Sequence, residues 1–183
     1  MLSDSHRKIL KDLAKASIDH GLKYGLPMQI DLTTMADELT VERATFVTLD
    51  KNGQLRGCIG MLEARRALAK DIAKNSYAAA FSDPRFPPLN ESELDDLSIH
   101  LSILSPAKSL HCQSEEELIQ QLRPGIDGLI LDDGLHRATF LPSVWESLSE
   151  PITFIHHLKM KAGLPVNYWS EELRVYRYSA ESF

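Results

Sequence analysis

KNGQLRGCIG, at residues 51–60, is the segment that decides how the chain is expected to fold. Asn52-Gly53 is the dipeptide most typical of a two-residue hairpin turn, because both residues tolerate a positive φ. A run of β-branched and aromatic residues precedes this turn at 44–49, and a second strand-like segment follows it. The pattern predicts a hairpin over residues 43–60, and a hairpin pairs its two strands antiparallel.

The second strand of this hairpin combines a cysteine, an arginine and two glycines. Side chains alternate between the two faces of a strand, so Arg56, Cys58 and Gly60 are expected on one face and Gly57 on the other. The Cα atoms of Arg56 and Cys58 are then about 6–7 Å apart, and a nearby cation favours the thiolate form of a cysteine. Gly57 and Gly60 are expected to leave bare backbone that a ligand or a second strand can approach.

A structural interpretation of the same residues stands beside the functional one. Free cysteine is among the most buried residue types and often packs as a small hydrophobe. Glycines within strands often mark bulges or tight packing instead of ligand contacts. The residue types alone leave both interpretations of Cys58 open.

Further helices and strands are expected along the rest of the chain. Apolar residues at helical spacing predict helices over residues 5–20, 64–81, 115–123 and 151–162, with a short helix beginning at Pro142. Alternation predicts strands over residues 97–103 and 172–178, and Asp133-Gly134 predicts a second hairpin over 128–141. Interleaved helices and two hairpins are typical of an α+β fold, with an antiparallel sheet flanked by helices, and not of a doubly wound parallel sheet.

Two other segments supply candidate site residues. His100 lies on the polar face of the strand at 97–103, and it would face the Cys58 thiol if the two strands lay side by side; the alternative is a solvated histidine. The segment at 83–89 contains three prolines, which fix φ, so it is expected to hold Asp83 and Arg85 in one arrangement. The alternative for Asp83 and Arg85 is that they pair with each other or cap the preceding helix.

Composition and charge limit the kinds of protein this chain can be. With 183 residues, 43% apolar and 25% charged, it is expected to be a globular protein of one domain, or of one domain with two lobes. The net charge of −6 opposes a general attraction to nucleic-acid backbones, so RNA binding would need a local basic patch. The candidates are Arg65-Arg66 with Lys70 and Lys74, and Lys159 with Lys161, and the expected interpretation of each is a solvated helix face.

No pattern indicates a membrane, metal or cofactor site. No apolar run approaches the ~18–20 residues that span a bilayer, and the N-terminus has no basic-then-apolar leader, so a cytoplasmic location and free Cys58 and Cys112 thiols are expected. The adjacent pairs His111-Cys112 and His156-His157 point apart on a strand or helix, so no metal site is expected. Phosphate-loop, dinucleotide and nucleophile-elbow motifs are absent; the cofactor and the oligomeric state are unknown at this stage.

Four motifs, in order along the chain, resemble those of the AMMECR domain family. They are Leu55-Arg56-Gly57-Cys58-Ile59-Gly60, Asp83-Pro84-Arg85-Phe86-Pro87-Pro88-Leu89, Gly125-Ile126-Asp127-Gly128-Leu129 and Ala138-Thr139-Phe140-Leu141-Pro142. The resemblance covers nearly the whole chain. It implies a single AMMECR domain over residues 1–183, with an antiparallel sheet flanked by helices, a smaller second lobe and one cleft shared by the two lobes.

The same resemblance implies a suspected active site without a settled reaction. The candidate substrate-binding residues all come from these motifs: Gly57, Gly60, Asp83, Arg85 and Thr139. Family members that resemble this chain are often encoded with, or fused to, a Memo-like protein and a radical SAM protein. The association implies an enzyme that works with those partners to modify RNA or a small molecule.

Three functions are open at this point. In the first, the chain is an enzyme with Cys58 as nucleophile, Arg56 as the cation that lowers the thiol pKa or binds an anion, and His100 as base. In the second, it is a binding module in which Arg56, Arg85 and glycine N–H groups hold an anionic ligand while Cys58 only packs. In the third, it is a scaffold for the Memo-like and radical SAM proteins, and an exposed apolar patch would be its mark.

Overall fold

Two four-stranded sheets form the framework of the computed structural model, which describes residues 2–183. The chain divides into two units: the first runs through Leu104 and includes Glu181–Phe183, and the smaller second unit is Ser105–Ala180. Strands pair antiparallel in both units, and helices accompany both sheets, so the predicted α+β fold with a smaller second lobe is confirmed. The cleft shared by the two lobes stays a prediction.

The helices and strands alternate along the chain much as the periodicity predicts. The α-helices are α1 (Asp4–Tyr24), α2 (Asp37–Thr40), α3 (Leu68–Phe81), α4 (Glu115–Gln121) and α5 (Pro151–Lys161). The strands are β1 (Thr45–Lys51), β2 (Gln54–Gly60), β3 (Leu97–Leu104), β4 (Lys108–Leu110), β5 (Gly128–Asp132), β6 (Arg137–Phe140), β7 (Arg174–Tyr178) and β8 (Ala180–Ser182). Short 3₁₀ helices cover Glu91–Asp96 and Pro142–Glu146.

The hairpin at residues 43–60 forms as predicted, with one irregularity. Asn52 and Gly53 have φ of 52° and 76°, the left-handed values that this tight turn needs. Leu49 lies opposite Gly57, but Asp50 lies opposite Leu55, so Arg56 has no cross-strand partner. This β-bulge breaks the strict alternation expected for β2.

The sheet of the first unit has the order β2-β1-β3-β8, and one of its faces carries the core. Val47, Leu49 and Leu101 on this face are fully buried and belong to one apolar cluster with residues of α1 and α3. Helix α3 approaches the strand so closely that a Cβ on Gly57 would clash with the carbonyl oxygen of Ala79. Gly57 is therefore required by helix packing.

Helix α1 extends four residues beyond its predicted end. Gly21 does not stop the helix, because it faces the rings of Tyr77 and Phe81 on α3, where a side chain would not fit. The helix ends instead at Gly25, which has φ of 68° and donates its N–H to the Gly21 carbonyl.

The second unit has its own core and a sheet of order β4-β7-β5-β6. Trp145 and Phe154 stack with ring centroids 3.9 Å apart, and both are buried. The Trp145 indole N–H donates to the carbonyl oxygen of Asp127 at 2.7 Å, which satisfies its one polar group.

Within residues 2–183, none of the helices combines the length and the apolar character that crossing a membrane requires.

Candidate functional site

Three polar side chains form a row across the face of the first sheet that is turned away from the core. Thr48 on β1 lies opposite Cys58 on β2 and, on its other side, opposite His100 on β3. Cys58 is half-buried, whereas 57% of the His100 side chain is exposed. We call Cys58, Thr48 and His100 the polar row. It places a thiol, a hydroxyl and an imidazole on one face of a rigid sheet.

The backbone of Cys58 is held by the proline-rich loop that follows α3. Strand β2 is an edge strand, so groups that point away from β1 lack a strand partner. The Cys58 N–H donates to Asp83 Oδ2 at 2.8 Å, and the Cys58 carbonyl accepts from Arg85 Nη2 at 3.1 Å. The Cys58 Sγ lies 3.3 Å from Thr48 Oγ1. Both the backbone and the sulfur of this residue therefore have defined partners.

Asp83 and Arg85 also pair with each other, which was the structural alternative stated from the sequence. Arg85 donates from Nε to Asp83 Oδ1 at 2.9 Å and from Nη2 to Oδ2 at 2.7 Å. The Arg85 guanidinium holds the pKa of Asp83 well below its usual range, against the opposing effect of burial. Asp83 is buried, but 53% of the Arg85 side chain is exposed, so a cation beside Cys58 reaches solvent.

Arg56 has a different environment from the one expected. It is 8% exposed and donates from Nε and Nη2 to the two oxygens of Glu93 at 2.9 and 3.0 Å. Nη2 also donates to the Pro87 carbonyl at 3.0 Å, while Nη1 is buried without a partner among the described residues. Lys51 adds a contact of 3.2 Å to Glu93. The expected opening of Arg56 into a site beside Cys58 is not what the structure has, because the bulge and Glu93 bury this side chain.

Glu93 is a structural partner that the sequence analysis did not identify. Hydrogen bonding from Arg56 lowers the Glu93 pKa to about 2, although burial acts in the opposite direction. The available signal was a capping box: the Asn90 side chain caps the 3₁₀ helix, and the Glu93 carboxylate accepts the Asn90 N–H at 3.2 Å. The spacing of Asn90 and Glu93 predicts the cap, but it does not reveal Arg56 as a partner.

The two motif glycines are packed against protein atoms. Gly57 is covered by Ala79, and a Cβ on Gly60 would clash with the Phe46 ring and the Thr45 carbonyl. The bare backbone expected at these positions is therefore occupied by the fold itself.

His100 is one strand too far away to contact the thiol directly. Strand β3 pairs with β1 and not with β2, so β1 separates His100 from Cys58. Two strand spacings put their Cα atoms about 10 Å apart. The nearest charged group to the ring is Asp50, with 3.4 Å between His100 Nε2 and Asp50 Oδ2.

Thr139 belongs to the second unit, whereas Cys58 belongs to the first. Its hydroxyl donates to the Leu129 carbonyl at 2.7 Å and lies 2.7 Å from the Tyr178 hydroxyl. Tyr178 donates to the Phe140 carbonyl at 3.0 Å, and burial raises its pKa to about 12. A Cβ on Gly128 would clash with the Tyr178 ring. These contacts join two of the four motifs inside the sheet of the second unit.

Some side chains of the two candidate basic patches form ion pairs within the protein. Arg66 donates to the buried Asp71 at 2.8 Å, and Lys159 is 1% exposed and bonds Glu115 and the Val166 carbonyl. The expectation of solvated helix faces is therefore wrong for Lys159, because Glu115 from α4 covers it.

Both cysteines are free, as predicted. Burial raises the pKa of the Cys112 thiol, which lies in the second unit. Among the described residues, no three His, Cys, Asp or Glu side chains converge in a way that could hold a metal ion.

Comparisons with known proteins give one consistent match. The family profile of AMMECR1 matches residues 11–183. A protein of Methanothermobacter thermautotrophicus is 36% identical over 186 residues, covering 100% of this chain and 95% of that protein. A protein of Thermotoga maritima is 37% identical over 169 residues, covering 91% of each. The crystal structure of the uncharacterized protein PH0010 from Pyrococcus horikoshii aligns with a TM-score of 0.91 at 31% identity, covering 99% of this chain and 92% of that one.

Proposed function

We infer that this chain, which belongs to the AMMECR1 family, is an enzyme that uses the Cys58 thiol as a nucleophile. Its substrate is an RNA or a small molecule that carries an anionic group for Arg85. One observation carries the proposal: the half-buried Cys58 lies on the sheet face turned away from the core, while Asp83 and Arg85 hold its backbone from the edge.

Preorganisation is the physical basis of this proposal. A nucleophile reacts faster when its position costs no further ordering at the moment of attack. Cys58 meets this condition because β1 holds one side of its strand and the loop at 83–89 holds the other. A reactive group on a strand is also placed more rigidly than one on a loop tip.

Arg85 takes the role that the sequence assigned to Arg56. Its guanidinium is fixed by the buried Asp83 and remains half-exposed, so an incoming carboxylate or phosphate can approach it. Arg56 is neutralised by Glu93 inside the protein and is assigned a structural role here.

The proposed partners are Memo-like and radical SAM proteins, which supply difficult chemistry that no residue of this chain provides. This part of the proposal is supported by the resemblance of the four motifs. Affinity purification of the chain from a host that encodes both proteins tests it: co-elution of either supports the association, and elution of the chain free of both contradicts it.

Substrate-depletion profiling tests the enzymatic proposal. The wild-type chain, Cys58→Ala and Cys58→Ser are each incubated with a metabolite extract and with total RNA, and mass spectrometry identifies the species consumed. We expect depletion by the wild-type chain and none by either variant. Cys112→Ala is the matched control for removal of a thiol, and it should behave as the wild type does.

The outcome that contradicts an enzyme is equally specific. If both Cys58 variants consume the same species as the wild type, Cys58 is not the nucleophile. If nothing is consumed but an anionic species is retained by all variants except Arg85→Ala, the chain is a binding module.

A further inference from the structure

We propose that the Thr48 hydroxyl passes a proton from the Cys58 thiol to the His100 imidazole, so that the polar row works as one unit. This inference rests on the proposed use of Cys58 as a nucleophile. It assigns a proton-relay role to Thr48, a residue that no sequence motif singles out.

The first step of the argument is distance. Cys58 and His100 lie on strands that are separated by β1, so their Cα atoms are about 10 Å apart and a direct hydrogen bond is excluded. Thr48 is the cross-strand partner of both residues. Thr48 therefore lies between the thiol and the imidazole in the register of the sheet, with its hydroxyl in contact with the thiol.

The second step concerns what the Thr48 hydroxyl contacts. Its Oγ1 lies 3.3 Å from the Cys58 sulfur, and within residues 2–183 this sulfur is its hydrogen-bond partner. On the other side, side chains directly opposite each other in an antiparallel pair have Cβ atoms about 4.5–5.5 Å apart. The relay we propose requires the His100 ring, whose Nε2 lies 3.4 Å from Asp50 Oδ2, to turn about its side-chain bonds until a ring nitrogen reaches that hydroxyl.

The proton transfer balances. The thiol S–H proton moves to Thr48 Oγ1 as the hydroxyl proton of Thr48 moves to a ring nitrogen of His100. The hydroxyl is regenerated, the sulfur becomes a thiolate and the imidazole becomes an imidazolium. A neutral histidine accepts a proton readily near pH 7, which makes it the suitable end of the relay.

Each charge formed by this transfer has an opposite charge nearby. The Arg85 guanidinium bonds the backbone carbonyl of Cys58 and forms an ion pair with Asp83. The Asp50 carboxylate lies 3.4 Å from His100 Nε2. Glu181 lies on β8, the strand next to β3, and its carboxylate accepts a hydrogen bond from Arg7. The transfer therefore separates charge between two groups that already face the right counter-charges.

Alkylation by iodoacetamide at pH 7 reports how much of Cys58 is in the thiolate form, because the thiolate is the reacting form. The rate is followed for Cys58 and Cys112 in the same sample by peptide mass spectrometry. Thr48→Val keeps the shape of the side chain and removes the hydroxyl. We expect it to lower the alkylation rate of Cys58 about tenfold, which is the scale of one charge-assisted hydrogen bond. Thr48→Ser should stay within about twofold of the wild type, since the hydroxyl is restored.

The coupling to His100 is tested by a double-mutant cycle. His100→Gln should slow Cys58 by about the same factor as Thr48→Val, and the double variant should be no slower than either one, because both changes break one chain of proton transfer. Ser102→Ala is the matched control: it removes another hydroxyl from the same face, one that pairs with Ser182 at 2.9 Å. Neither this control nor the rate of Cys112 should change.

Three results would overturn the relay. The first is an unchanged alkylation rate of Cys58 in Thr48→Val. The second is a Thr48→Ser variant that loses as much of this rate as Thr48→Val does. The third is a double variant in which the losses from Thr48→Val and His100→Gln multiply. If Thr48→Val does not fold, Thr48→Ser and His100→Gln still decide the question, since the relay requires the first to retain the rate and the second to lose it. Failure of the relay is distinguishable from failure of the enzymatic proposal. The relay fails on the alkylation rates, whereas the enzymatic proposal fails if Cys58→Ala still consumes the substrate.

Discussion

Two arginine–carboxylate pairs lie beside the same edge strand, and they differ in what they leave accessible. Arg56 and Glu93 are both buried, whereas in the pair of Arg85 and Asp83 the carboxylate is buried and about half of the arginine side chain is exposed. Both pairs are bidentate, so their bonding chemistry is the same. The comparison teaches that exposure separates an arginine that stabilises the fold from one that can meet a ligand.

The largest effect is expected when the buried pair is broken. Glu93→Ala leaves the Arg56 guanidinium buried without a counter-charge, so we expect a loss of about 3–5 kcal/mol in the free energy of unfolding. Urea denaturation at pH 7 measures it. Asp95→Ala, an exposed acid in the same 3₁₀ helix, is the control and should stay within about 0.5 kcal/mol. A loss below about 1 kcal/mol for Glu93→Ala would mean that the pair is not what anchors this edge.

A smaller effect is expected at the half-exposed pair. In Arg85→Ala, Asp83 keeps the backbone N–H donors of Cys58 and residue 85, and solvent replaces the lost guanidinium. We therefore expect a loss of about 1–2 kcal/mol in the free energy of unfolding by the same measurement. Arg56→Ala is the matched comparison and should cost clearly more. Equal losses in the two variants would remove the distinction between the pairs.

The smallest effect is expected in mild acid. The folded pKa of Glu93, about 2, lies below its ordinary value of 4.5, so its contribution to stability is complete above about pH 4.5 and is lost as pH falls toward 2. Between pH 7 and pH 4 this contribution should fall by less than about 1 kcal/mol. Asp83 acts in the same direction at lower pH, because its pKa is also lowered. Urea midpoints of the wild type and Glu93→Gln across this pH range measure the contribution of Glu93 to stability. A wild type that gains stability as pH falls, relative to Glu93→Gln, would reverse the sign.

Local patterns predicted most of the secondary structure, but not the short strands β4 and β8 or the 3₁₀ helix at Glu91–Asp96. The turn at Asn52-Gly53 and the alternation at 97–103 depend on residues that are neighbours in the chain, so their physics is visible in the sequence. Helix α1 shows the limit of this reasoning. Gly21 interrupts a helix by propensity, yet packing against Phe81 keeps it helical, since tertiary contacts outweigh a cost of about 1 kcal/mol.

The candidate site could be predicted only in part. The motifs at 55–60 and 83–89 named Cys58, Asp83 and Arg85, which the structure brings into contact with one another, and their role in a site stays a prediction. The exposed position expected for Arg56 is not found, because the bulge changes which way the side chain points and Glu93 pairs with it inside the protein. Thr48 escaped notice because threonine on a strand is common, and nothing near it in sequence distinguishes it.

The sequence by itself determined the α+β class, the hairpin, the free thiols and the position of the cysteine on the second strand of that hairpin. These features follow from turn chemistry and hydrophobic periodicity, which act over a few residues. Only the tertiary structure decided that Glu93 buries Arg56, that Arg85 is the exposed cation, and that β1 stands between Cys58 and His100. The physical reason is that strand order and ion-pair partners depend on contacts between segments far apart in the chain.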